Sequence, residues 1–141
     1  MNIIELFKEY ANLPTLEAKI EEGKKHYLAF VAALKKEGYA DADITNFACM
    51  LVRLASGADR EADEEEYQLF EGITGIEMSF GEFYGMVKKG HDGEFLDVMD
   101  ELVDGLNAEG KEEALRFVAV FLSSDHELTA VEKSVFDRLL K

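Results

Sequence analysis

Asp59-Arg60-Glu61-Ala62-Asp63-Glu64-Glu65-Glu66 has a counterpart later in the chain, Asp125-His126-Glu127-Leu128-Thr129-Ala130-Val131-Glu132. At this offset of 66 residues, Asp125 falls on Asp59, Glu127 on Glu61 and Glu132 on Glu66. The flanks correspond as well. Leu51, Val52, Leu54 and Ala55 map onto Phe117, Val118, Val120 and Phe121, and Leu69, Phe70 and Ile73 map onto Val135, Phe136 and Leu139. Each copy therefore reads as an apolar helix, an Asp-x-Glu turn and an amphipathic helix.

The segments around these turns carry helical periodicity throughout. Ile3, Leu6, Phe7 and Tyr10 mark a short amphipathic helix that Pro14 interrupts. Thr15 is placed to cap a long helix ending near Glu37, with Leu16, Ile20, Tyr27, Phe30, Val31 and Leu34 as its stripe. Gly38 closes it. Asp41 or Asp43 is expected to cap the next helix, which runs to about Ser56 and is apolar nearly all round, as is the segment 111–123. Helices of that kind belong in the middle of a domain. Asp63-x-x-Glu66, Ser79-x-x-Glu82 and Thr129-x-x-Glu132 each have capping-box spacing. Gly72 and Gly75 are expected to bracket one helix end, the run 90–93 to form a turn, and 107–110 to break the chain before the second central helix. Strand-like alternation is missing. The expected fold is all-α, a single compact bundle of about seven or eight helices with two pseudo-symmetric halves related by an approximate two-fold axis. Residues 1–141 form one domain, with 1–14 as an N-terminal helical extension.

A chain of 141 residues can bury a sizeable core, and 48% hydrophobic residues mark it as globular. The formal net charge of −15 disfavours nucleic acid and anionic membrane surfaces and suits cations or a basic protein. The lone cysteine, Cys49, sits in an apolar run and reads as a buried structural thiol. No signal peptide and no apolar run of about 20 residues is present, so a cytoplasmic location without membrane insertion is expected.

The acidic turns are the best functional lead. Asp59, Glu61 and Glu66 in one copy, and Asp125, Glu127 and Glu132 in the other, could converge as oxygen ligands for a hard divalent cation. Ca²⁺ or Mg²⁺ is favoured over Zn²⁺, since sulfur is lacking and His126 is the one imidazole nearby. The same acids also suit helix capping and the helix dipole, and both readings stay open here. An EF-hand does not fit, because a loop begun at Asp59 has Glu64 at its glycine position and Phe70 at its last ligand position. No phosphate-binding loop, nucleophile elbow, His-Glu-x-x-His or Glu-x-x-His motif occurs, so no enzyme is expected. His26 reads as a surface or half-buried residue, not a ligand, and His91 as solvated, and Lys88-Lys89 is too small a basic cluster for nucleic acid.

The two turns resemble those of the TerB-like family, the all-helical domain of bacterial tellurite-resistance proteins also found beside co-chaperone J-domains. The family turn has the form Asp-Gly-x-(Val/Ile)-(Ser/Thr)-x-x-Glu after an apolar helix. Asp125, Leu128, Thr129 and Glu132 match it. Asp59 and Glu66 match too, with Ala62 and Asp63 as conservative replacements, while Arg60 and His126 stand where the family has glycine. The matching stretches are 44–74 and 111–140. The resemblance implies a helical domain with duplicated halves, metal-binding acids, and a non-enzymatic role in stress or metal response through a protein partner. The alternative, drawn from charge alone, is an acidic decoy or inhibitor of a basic, nucleic-acid-binding protein.

Overall fold

The computed structural model describes residues 3–56, 63–89 and 93–123. Seven helices occupy them: α1 (Ile3–Ala11), α2 (Leu16–Lys36), α3 (Asp41–Ser56), α4 (Glu64–Thr74), α5 (Phe80–Lys88), α6 (Gly93–Asp104) and α7 (Ala108–Leu122). No strand occurs among the described residues. The all-α bundle follows from apolar stripes at helical spacing, which can be buried only against other helices.

Local chemistry sets most boundaries. The Thr15 hydroxyl accepts from the Ala18 N–H at 3.0 Å and opens α2. Beyond its other end, Gly38 takes φ +95°, and the Tyr39 N–H returns to the Leu34 carbonyl. The Ser79 hydroxyl and Glu82 carboxylate complete a reciprocal capping box at α5.

Three boundary expectations change. Neither Asp41 nor Asp43 caps α3. Both lie in its first turn, and the Ala40 carbonyl accepts the first helical bond, from Ile44. There the two acids oppose the positive end of the helix dipole instead. Gly72 lies inside α4, and only Gly75, at φ +69°, closes that helix. The break expected over 107–110 contracts, because the Asn107 side chain accepts from the Gly110 N–H at 2.8 Å and starts α7 at Ala108. Of the turn expected at 90–93, Gly93 opens α6 and the rest lies outside the described residues.

The core centres on α7, where every residue from Phe117 to Leu122 is buried. α2 is its main partner, and α1 and α3 also pack on it. The two helices expected at the centre, α3 and α7, therefore touch, with α2 more extensively applied to α7. Phe117 joins them through rings: Tyr27 at 5.5 Å, Phe121 at 5.4 Å and Phe30 at 6.5 Å between centroids. Phe30 in turn meets Phe47 of α3 edge-on at 5.5 Å. The N-terminal stretch is built into this core, since Leu6, Phe7 and Tyr10 of α1 are buried.

α2 and α4 meet by a reciprocal fit. A β-carbon on Gly23 would lie 2.3 Å from Ile73 Cδ1, and one on Gly72 would lie 2.9 Å from Ile20 Cδ1. Each helix thus offers an isoleucine to the other's glycine. Gly23 costs α2 about 1 kcal/mol of helix propensity, and the close approach explains why it stands mid-helix.

The candidate acidic site

Of the six acids expected to form the site, Glu66 lies within the described residues. Asp59, Glu61, Asp125, Glu127 and Glu132 lie outside them, as do the capping pair Thr129–Glu132 and the helix expected after it. Whether those carboxylates converge is thus outside what the structure describes. Among the described residues, no group of three or more His, Cys, Asp or Glu side chains is placed to hold a metal ion.

Glu66 sits in the first turn of α4. Asp63 precedes the helix with extended backbone, and its carboxylate accepts from the Glu66 N–H at 2.8 Å. Asp63 is therefore a helix cap. Glu66 itself is 7% exposed. Glu82 occupies the same position relative to its own cap, Ser79, yet is exposed to solvent. Capping a helix leaves a glutamate at the surface in α5, whereas Glu66 is enclosed. Its neighbours Glu64 and Glu65 are exposed, as expected of a solvated face.

The approach to the second turn holds a charge that patterning did not single out. Lys19 is 3% exposed, and its ammonium donates to the Ser123 carbonyl at 3.4 Å. Ser123 caps the C-terminus of α7, and its hydroxyl donates to the Val120 carbonyl at 2.7 Å. A buried cation at the carbonyl end of α7 meets the negative end of the dipole. Ser123, which accepts from it, lies two residues ahead of Asp125 in the chain.

A second buried polar group joins α2 to α7. His26, expected at the surface or half-buried, is buried instead, with Nδ1 2.7 Å from Glu113 Oε2 and Nε2 3.0 Å from Glu22 Oε1. Carboxylates only accept, so both bonds form together when the ring carries two protons. Its ring edge faces Tyr10, whose hydroxyl accepts from Arg116 at 3.3 Å. Burial raises the Tyr10 pKa, and Arg116 opposes that rise in part. The pairing of His26 with Glu113 spans 87 residues. The i,i+4 spacing of Glu22 and His26 was the one signal of it within the sequence.

Cys49 is partly buried against the core, and burial pushes its thiol pKa up. That suits a structural thiol, because the reactive species is the thiolate. A shallow depression of about 260 Å³ lies between α3 and α6, lined by Met50, Arg53, Glu94, Phe95 and Val98. The Arg53 guanidinium covers the Phe95 ring there, 4.0 Å from its centroid. No helix among the described residues is long and apolar enough to cross a membrane.

Compared with family models, with curated proteins and with solved structures, the chain finds no match in any of the three.

Proposed function

We propose that this chain is a non-enzymatic, TerB-like helical domain of stress or metal response, whose duplicated acidic turns bind a divalent cation, a protein partner or both. The observation that carries the reading is the burial of Glu66 where capping alone leaves Glu82 exposed. Glu66 is also one of three acids repeated at the same spacing in both turns. Ca²⁺ and Mg²⁺ suit an all-oxygen ligand set.

Calorimetric titration with Ca²⁺, Mg²⁺, Mn²⁺ and Zn²⁺ tests the cation. A saturable heat is expected for at least one hard cation, abolished by Asp59→Asn/Asp125→Asn and weakened by Glu66→Gln. Asp63→Ala serves as the control. It removes the cap, lowers stability by about 1 kcal/mol, and leaves the heat in place. The absence of a saturable heat, or one undiminished in the double variant, overturns cation binding.

A second reading, an acidic decoy or inhibitor of a basic, nucleic-acid-binding protein, is supported by α6. That helix carries exposed Glu94, Asp97, Glu101 and Asp104 and no basic residue. Such binding is expected to weaken steeply between low and high salt. Captured partners that are not basic, and that stay bound in high salt, would count against it.

A further inference from the structure

Four large hydrophobic side chains are exposed among the described residues: Leu28, Phe80, Tyr84 and Val98. Leu28 and Val98 stand singly on α2 and α6, as scattered surface residues commonly do. Phe80 and Tyr84 are different. They are one turn apart on α5, 40% and 41% exposed, with ring centroids 6.3 Å apart. Tyr67 of α4 extends the surface, edge-on to Phe80 at 5.5 Å. Three aromatic rings from two helices therefore form a continuous ledge.

The ledge is held from beneath and from the side. Phe83 is fully buried, contacts the Tyr67 ring at 5.7 Å, and packs on Phe70 of α4 at 5.4 Å. The Tyr67 hydroxyl donates to the Met78 carbonyl at 2.6 Å, tying α4 to the segment that enters α5. The capping box at Ser79 then fixes the residue next to Phe80. A surface held this way loses little further freedom when something docks on it.

Its charge identifies what fits. Interaction with the Glu71 carboxylate, one turn along α4, raises the Tyr67 pKa, with burial and the charge of Glu82 acting in the same direction. Glu71 is exposed one turn beyond Tyr67 on α4, and Glu82 is exposed on α5 between Phe80 and Tyr84. α4 carries four acids and no base. At the far end, the Lys88 ammonium already lies over the Tyr84 ring, 5.8 Å from its centroid. Aromatic faces flanked by carboxylates favour a cation with an apolar stem. A guanidinium can both stack on a ring and fork onto a carboxylate, which an ammonium does less well. Arg53 over Phe95 shows the ring stacking within this same fold. A second copy of the chain is a poor occupant, since each copy carries a net charge of −15. An anionic lipid surface is disfavoured for the same reason.

We propose that the Tyr67–Phe80–Tyr84 ledge is a docking surface for an arginine-bearing, partly apolar segment of a partner protein. The arginine stem lies across Phe80, and its head reaches Glu71 and Glu82. The proposal deepens the partner-binding reading above by assigning it a surface distinct from the acidic turns.

The test uses the full chain and the capped peptide acetyl-Leu-Arg-Leu-Arg-amide, followed by aromatic and backbone chemical shifts. Saturable shifts are expected at Tyr67, Phe80 and Tyr84. Phe80→Ala/Tyr84→Ala, whose altered side chains are surface-exposed, weakens binding about tenfold or more. Glu71→Gln weakens it to a smaller extent, and the matching Leu-Glu-Leu-Glu peptide does not bind. Circular dichroism and the urea midpoint confirm that each variant is folded. Undiminished binding by a folded Phe80→Ala/Tyr84→Ala variant overturns the proposal. So does equal binding of the glutamate peptide, or shifts confined to the acidic face of α6. Asp59→Asn/Asp125→Asn is expected to leave peptide binding intact. Loss of the cation heat and loss of peptide binding are therefore separate results.

Discussion

Phe117→Ala is expected to destabilise the fold by about 3–5 kcal/mol, the range for emptying a buried aromatic site. Phe117 is fully buried at the middle of α7. Its ring meets Tyr27 and Phe30 of α2, and Phe121 one turn along α7. Truncation removes the ring from all three contacts at once. The cavity cannot close easily, because its walls belong to helices packed by many other residues. Against a total stability of about 5–15 kcal/mol for a domain, this is a large share. The melting temperature should fall by roughly 10–20 °C. Urea unfolding followed by circular dichroism provides the measurement. The midpoint should drop with little change in slope, the sign of lost stability without a change in the surface exposed. A loss below about 1 kcal/mol would mean that α7 is not the centre of the core.

Gly23→Val is expected to cost about 3 kcal/mol, at the upper end for overpacking. A helical glycine replaced at an open surface should gain stability, since glycine is the poorest helix former after proline. Here the first added carbon already meets Ile73 Cδ1 at 2.3 Å, Ile73 Cγ1 at 2.8 Å and Val120 Cγ1 at 3.3 Å. Either the Ile73 side chain, itself buried, must be forced aside or α2 must move away from α4, and Val120 of α7 must yield slightly. The sign of the effect thus separates a packing role from mere tolerance of glycine. A double-mutant cycle sharpens it. Ile73→Ala alone opens a cavity, but combined with Gly23→Val it relieves the clash. The pair should lose less than the two single variants added together, by roughly 1 kcal/mol or more. Additive losses, or stabilisation by Gly23→Val alone, would refute the close approach of α2 and α4.

Much of the fold was legible before any tertiary contact. Thr15, Asp63 and Ser79 each bond an N–H three residues ahead, so their role as caps needs nothing beyond the local chain. The stripes of α1, α2, α3 and α7 were legible from spacing, since burying such faces requires other helices. Asp41 and Asp43 show the limit even of local reasoning. Two acids near a helix start suit both capping and dipole compensation, and only the position of Ala40 decides between them. The acidic repeat was legible as a pattern of spacing. Of its six acids, the structure adds a position for Glu66, as a buried side chain behind the Asp63 cap.

The sequence by itself determined the helical character of the described segments, the caps at Thr15, Asp63 and Ser79, and the apolar faces that had to be covered. These depend on hydrogen bonds and side-chain spacing within one or two turns, which chain order fixes directly. Tertiary structure alone decided which partner each face received. Gly23 gained a reason when Ile73, 50 residues away, filled the space beside it. His26 gained Glu113, and Lys19 gained the Ser123 carbonyl, 104 residues along the chain. Tyr67, Phe80 and Tyr84 became one surface only because α4 and α5 fold back on each other. Charge and apolar spacing state what a side chain needs. Packing settles which of many equivalent partners supplies it, because that choice depends on how all seven described helices fill space together.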